Sequence, residues 1–282
     1  MARLASAAGL SGFSLTDHDT LDGLPEAAAE AGRLGIDFMP GIEVTCAFPR
    51  PGTMHLLAYG FDPAAEPMRR LAERLAAGRR ERTDLILDRL RRVGVDLPKA
   101  EVEAEAGPLG SVGRPHFAAV LIRRGHAVST RDAFDRYLGG GGAAYVDTSP
   151  LAADEVMALV GAAGGLCALA HPFHTRRRDF AQLGALVCEL AEQGMEGLET
   201  IHSSHDADAV HRLTRLADRL GLLPTGGSDF HGASKPWICL GETAGGRTVP
   251  RAWFDDVRAR TAGRGSAAGS AGHWVGNDAG GG

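Results

Sequence analysis

The sequence predicts an α/β protein built on a parallel sheet, and three observations carry that prediction. Short apolar runs of strand character alternate along the chain with helical stretches. Most of those runs end in a histidine or an acid. The densest case is Gly226-Gly227-Ser228-Asp229-Phe230-His231-Gly232, which follows the apolar residues Leu220 to Leu223. Side chains two apart at a strand end face the same side, so Asp229 and His231 offer an oxygen and an imidazole nitrogen to one point. Polar residues at successive strand ends imply a barrel or open sheet with its site on the carboxyl face.

The elements follow in order. Ala2 to Ala8 is helical, and Gly12 to Leu15 is a strand running into Thr16-Asp17-His18-Asp19-Thr20. Leu24 to Leu34 is a helix with Pro25 in its first turn and Gly35 past its end. Ile36 to Met39 is a strand, followed by Pro40-Gly41-Ile42-Glu43-Val44, and His55 to Gly60 is another with a histidine at its start. Met68 to Val93 reads as one or two arginine-rich helices, and Pro98 to Gly107, Gly113 to Ile122 and Arg131 to Leu138 as three more. The alternation resumes with a helix from Ala152 to Ala163 and a strand from Leu166 to Ala170 that ends in His171-Pro172. A helix from Phe180 to Gln193, a strand from Gly197 to Ile201 and a helix from Asp206 to Leu220 follow. Leu222 to Pro224 enters the Asp229 turn, and Trp253 to Arg260 is the last helix. The expected organisation is a barrel from residues 1–65 and 143–262, a helical insertion at 66–142, and a disordered Gly/Ala/Ser-rich tail at 263–282.

Composition narrows the class. Of 282 residues, 44% are hydrophobic and 23% charged, enough for a large core. A net charge of −5 argues against a broad nucleic-acid surface but leaves room for a small phosphorylated ligand. Cys46, Cys167, Cys188 and Cys239 form no Cys-x-x-Cys pair, and three lie in apolar segments, so a reducing cytoplasm is expected. No apolar run approaches the roughly 20 residues of a membrane span, and Met1 to Leu10 reads as a helix rather than a signal peptide.

The candidate ligands are His18, Glu43, His55, His171, His205, Asp229 and His231. Imidazoles and carboxylates without thiolates suit manganese, iron or zinc in a hydrolytic site, and Glu43 has two oxygens with which to bridge two ions. Each has a duller explanation: a capped surface histidine, a salt bridge for Glu43, a helix N-terminal cap for Asp17 or Asp19. Their joint occurrence at successive strand ends favours the metal site. His202 is open to either reading, whereas His126, His174, His211 and His273 read as surface residues. Arg114 and His116 are either a solvated helix start or a phosphate clamp, since guanidinium pairs with phosphate in a bidentate way.

Leu15-Thr-Asp-His-Asp-Thr20, Pro40-Gly-Ile-Glu-Val44, His55-Leu-Leu-Ala-Tyr-Gly60, Gly113-Arg-Pro-His116, Ala170-His-Pro172 and Gly227-Ser-Asp-Phe-His-Gly232 resemble the PHP (polymerase and histidinol phosphatase) family. Within it the chain is most similar to the branch of 3',5'-nucleoside bisphosphate phosphatases and 5'-3' exoribonucleases often labelled TrpH-like, from Ala5 to about Val249. The resemblance implies a distorted (β/α)7 barrel with a helical insertion and up to three metal ions. It implies His18, Glu43, His55, His171, Asp229 and His231 as ligands, Arg114 and His116 as substrate contacts, and His205 and Asp17 as catalytic candidates. It implies phosphomonoester hydrolysis on bisphosphates or stepwise release of 5'-nucleotides from short RNA, without a dedicated protein partner. The family opens with a strand carrying Asp-x-His-x-His, and no such run occurs here. The expectation is a barrel lacking its first strand. Either the start is assigned roughly 20–30 residues too late, or the chain is a degenerate relative that binds metal or phosphate without catalysis. Histidinol-phosphate phosphatase is a further alternative.

Overall fold

The computed structural model describes residues 1–47, 53–107, 111–146, 151–175, 179–232 and 235–264. The chain divides into two units, one of residues 1–71 and 151–282 and one of residues 72–150. The expected tail, from residue 265 onward, lies outside the described residues.

The first unit holds a curled six-stranded sheet in sequential order. Helix α1 (Ala2–Ala7) precedes β1 (Gly12–Leu15), and α2 (Leu24–Leu34) precedes β2 (Asp37–Ala47). α2 starts on Pro25 and stops at Gly35, whose φ of 66° is the left-handed conformation that ends a helix. β2 pairs parallel with β1 from Asp37 to Pro40 and antiparallel with β3 (Thr53–Tyr59) from Gly41 to Ala47. The expected break at Pro40 is thus absent, and one 11-residue strand runs through it. Proline is tolerated because Pro40 sits at the last β1 pair, where the ladder on that side ends. At Gly41 the strands approach so closely that a Cβ would lie 2.2 Å from Ser14 Oγ.

The sheet departs from the parallel expectation at β3, which is antiparallel to both β2 and β4 (Leu166–Leu169). Only residues 48–52 separate β2 from β3, and so short a connection can only reverse direction. β5 (Gly197–His202) and β6 (Leu223–Gly227) restore parallel pairing. Between these strands run α7 (Ala153–Ala162), α8 (Phe180–Glu192) and α9 (Ala207–Leu220). Asp179 Oδ1 caps α8 by accepting from Gln182 N at 2.8 Å, and Asp206 Oδ1 caps α9 from Ala209 N at 2.8 Å.

One apolar cluster on the sheet joins Met39, Leu57, Tyr59, Leu166 and Ala168 with Val257 of α10 (Arg251–Thr261). α10 contacts both β1 and β6, the two edge strands. Among the described residues those outer edges have no strand partner, and a cavity of about 690 Å³ lies beside them.

The second unit contains most of the 27-residue helix α3 (Glu66–Arg92) with α4 (Lys99–Ala106), α5 (Arg114–Arg123) and α6 (Thr130–Ala133), which continues into a π turn at Phe134–Leu138. Its core is Ile86, Leu90, Phe117, Leu121 and Leu138. Arg91 and Arg92 of α3 meet acids at the surface, Arg92 with Asp88 at 2.6 Å. No helix among the described residues is long and apolar enough to cross a membrane.

Candidate metal centre

One rim of the sheet gathers the polar residues, and strand direction explains which end of each strand supplies them. β1, β4, β5 and β6 run towards this rim and deliver residues just past, or at, their carboxyl ends: His18, His171, His202 and Asp229. β3 runs the other way, so its contribution, His55, comes from its start. On β2, Glu43 lies beyond the point where β1 stops, and its backbone bridges to His18.

Glu43 is the hub. Its Oε1 lies 2.6 Å from His55 Nδ1 and 3.0 Å from His171 Nε2, and its Oε2 lies 3.5 Å from His18 Nε2. His55 Nδ1 and His171 Nε2 are 3.2 Å apart. The ring of His18 reaches that of His231 at 6.0 Å, which joins the Asp229 turn to the group. His18, His55, His171, Asp229 and His231 line one cavity of about 240 Å³ together with Met54, His174, Thr175 and Lys235. Around a four-coordinate ion with bonds of about 2.1 Å, ligand atoms stand roughly 3–3.5 Å apart. The Glu43–His171 and His55–His171 spacings of 3.0 and 3.2 Å fall in that range, while Glu43 Oε1 and His55 Nδ1 at 2.6 Å stand closer, as a direct hydrogen bond does. The donor chemistry fits such an ion, and His18, Glu43 and His55 alone offer three ligand atoms within 4.8 Å of one another.

The backbone at this rim takes unusual conformations. Asp19, His171 and Asp229 have φ values of 55°, 27° and 57°, and are the non-glycine residues with positive φ among those described. Such strain persists only where surrounding contacts over-determine it. His171 N donates to Glu199 Oε2 at 2.5 Å, and Asp19 Oδ1 accepts from Thr45 N at 2.8 Å.

Electrostatics separates the acids. Burial opposes ionisation of Glu43, but hydrogen bonds from His171 and His55 and the nearby His18 outweigh it and hold its carboxyl well below the usual range. Burial also works against Asp229, yet His202 and Lys235 bring it down to about 2. Glu199 has no such rescue: burial pushes it up to about 8 against the pull of His202. Burial lowers His18, and it lowers His174 with help from neighbouring imidazoles.

The remaining expectations fall out as follows. Neither Asp17 nor Asp19 caps α2, whose N-cap is Gly23 without a side-chain bond; Asp19 instead holds Thr45 of β2. Asp17 lines the larger cavity, and burial raises its carboxyl. His205 is buried behind His202, with Nδ1 2.9 Å from the Thr200 carbonyl, and burial lowers it to about 4. Arg114 and His116 open α5 in the second unit: Arg114 lies 5.8 Å from the Tyr145 ring centroid, and His116 Nδ1 accepts from Gly113 N at 2.9 Å.

Three residues were not predicted for the site. His174, expected at the surface, lines the cavity and stacks on His171 at 4.7 Å. Lys235 places Nζ 2.6 Å from Asp229 Oδ2. His202, left open, is buried, and its Nδ1 accepts from Ser204 N at 3.0 Å, so in the neutral ring the proton sits on Nε2, 3.7 Å from Asp229 Oδ2. The signals were present in part: His174 follows His171 by three residues, and Lys235 follows His231 by four.

A curled α/β sheet with imidazoles and carboxylates at one rim defines a metal-binding hydrolase class of site. No family model matches the chain. It is 32% identical to a 3',5'-nucleoside bisphosphate phosphatase of Chromobacterium violaceum, over 88% of this chain and 86% of that protein. It is 31% identical to a 5'-3' exoribonuclease of Haemophilus influenzae, over 84% and 85%. A solved structure from Bifidobacterium adolescentis, provisionally described as a metal-dependent phosphoesterase, superposes with a TM-score of 0.78 at 30% identity, covering 92% of this chain and 89% of that one. The chain belongs to the PHP family of phosphoesterases.

Proposed function

We propose that the protein is a metal-dependent phosphoesterase acting on nucleotide-sized substrates, a 3'-phosphatase of 3',5'-nucleoside bisphosphates or a 5'-3' exoribonuclease on short RNA. The observation that carries this reading is the meeting of Glu43 with His18, His55 and His171 beside the cavity that Asp229 and His231 also line. These six residues would hold the divalent ions, up to three, with manganese favoured over iron or zinc. When bound, the ions supply activation of water and charge stabilisation at the phosphoryl group.

The chain's own groups do the rest. Glu43, ionised and with two oxygens facing different imidazoles, can serve two ions at once. Glu199 orients His171 through its backbone N–H. His174, on the cavity wall with its basicity lowered by burial, and Asp17, with a raised carboxyl, are the candidates to move a proton to or from the leaving oxygen. His205 acts in this reading through His202. Arg114 and His116 are proposed as phosphate contacts on the strength of the family likeness. We take residues 66–142 as the insertion, the curled sheet as the greater part of a distorted seven-stranded barrel, and the cytoplasm as the place of action.

One observation favours a second reading. The outer edges of β1 and β6 are unpaired among the described residues, and the cavity beside them is open. A chain whose ring of strands is unclosed could bind metal and phosphate without turnover. The deciding experiment supplies the full chain with Mn²⁺ and assays adenosine 3',5'-bisphosphate, dinucleotides and histidinol phosphate. Phosphate release from the bisphosphate, or nucleotide release from dinucleotides, is the expected result. No turnover of either, with phosphate binding retained and fewer than two ions held per chain, would replace this reading with the second.

A further inference from the structure

Lys235 is the one lysine or arginine among the described residues lining the 240 Å³ cavity. Its Nζ lies 2.6 Å from Asp229 Oδ2, the same oxygen that His202 Nε2 approaches at 3.7 Å. Asp229 Oδ1 faces His231 Nδ1 at 3.4 Å instead. The Lys235 side chain is 34% exposed, so its head group is not locked in by packing. Its backbone is tethered by N–H donation to the Gly232 carbonyl at 3.2 Å, which fixes the root of the stem close to His231.

A lysine in this position has a specific chemical consequence. The ammonium is a compact point charge on a flexible stem, able to turn between two acceptors. A divalent ion taking Asp229 would set two positive charges on one carboxylate, and the mobile one would leave. The neighbouring acceptor of opposite charge would then be a phosphoryl group entering the same cavity, and lysine binds phosphate as a point charge.

We propose that Lys235 is a two-position cation: it neutralises Asp229 in the metal-free protein and binds a phosphate of the substrate once ions are in place. The second position rests on the phosphoesterase reading; the first does not. Lys235 thereby couples metal loading to substrate binding, because an ion at Asp229 releases the charge that the phosphate needs.

The test uses the full chain and two binding measurements, independent of turnover. Mn²⁺ titration of the metal-free protein, followed by calorimetry, should show tighter binding in Lys235→Met by about fivefold to tenfold, since the competing ammonium is gone. Inorganic phosphate and adenosine 3',5'-bisphosphate, titrated onto Mn²⁺-loaded protein, should each bind Lys235→Met about tenfold or more weakly. Lys235→Arg keeps the charge and should return both values towards the wild type. Unchanged or weaker Mn²⁺ binding in Lys235→Met would overturn the first position. Unchanged phosphate binding in the loaded variant would overturn the second. Absence of wild-type turnover, with both binding results as expected, would count against the phosphoesterase reading; it would leave the first position standing and make the second a contact to a bound phosphate rather than to a substrate.

Discussion

Glu43 and Asp229 are the two carboxylates proposed as metal ligands, and the fold treats them differently. Glu43 sits mid-strand on β2, is 5% exposed, and meets three imidazoles. Asp229 sits in a strained turn after β6 and meets a lysine as well as imidazoles. Both are held ionised, by different means. At Glu43 the compensation comes from imidazole rings; at Asp229 a lysine ammonium is already in contact. In the proposed reading a divalent ion would therefore gain most beside Glu43, where no fixed positive charge has to be displaced, and would load less readily beside Asp229.

The sharpest way to break this comparison is to remove the Glu43 charge. Glu43→Gln keeps the side-chain shape and one carbonyl oxygen, but it should abolish tight metal binding at the His55–His171 side and lower phosphate release on the order of a thousandfold or more. Steady-state assay and metal analysis of the purified variant check it. An active variant with undiminished metal content would show that Glu43 is a structural salt-bridge partner.

A smaller effect is expected on the other half. His202 is buried and directs Nε2 at Asp229, so it positions a ligand without facing the cavity centre. His202→Phe should weaken the second metal-binding step by about 10–100-fold and leave the first nearly unchanged, the usual scale for a group that orients a ligand. Two-phase calorimetric titration separates the steps. Equal loss in both would mean the halves are not distinct.

Much of this was legible in the residues. Gly12 to Leu15 and Leu24 to Leu34 have the predicted bounds because apolar period, Pro25 and Gly35 all agree. The strand-end pattern groups His18, Glu43, His55 and His171, and the structure sets the three histidines around the Glu43 carboxylate. What stayed hidden depends on pairing. That β3 is antiparallel cannot be read from alternation of strands and helices, yet it is the reason a histidine at a strand's start joins others at strand ends. Pro40 suggested a break because proline interrupts ladders, and only the end of β1 opposite it explains the continuous strand. His174 and Lys235 lie in short irregular segments, where neighbours in sequence do not fix a side chain's direction. Glu199 reads as an ordinary strand residue, and its raised carboxyl follows from burial on both faces of the sheet.

The central claim is that Glu43, His55 and His171 share a divalent ion. Crystals of the full chain soaked in Mn²⁺ and measured for anomalous scattering test it directly. The account predicts a strong peak within bonding distance of Glu43 Oε1, His55 Nδ1 and His171 Nε2, with a weaker one towards Asp229 and His231. Density that leaves those three atoms hydrogen-bonded to one another, with no anomalous peak among them in saturating Mn²⁺, would contradict it.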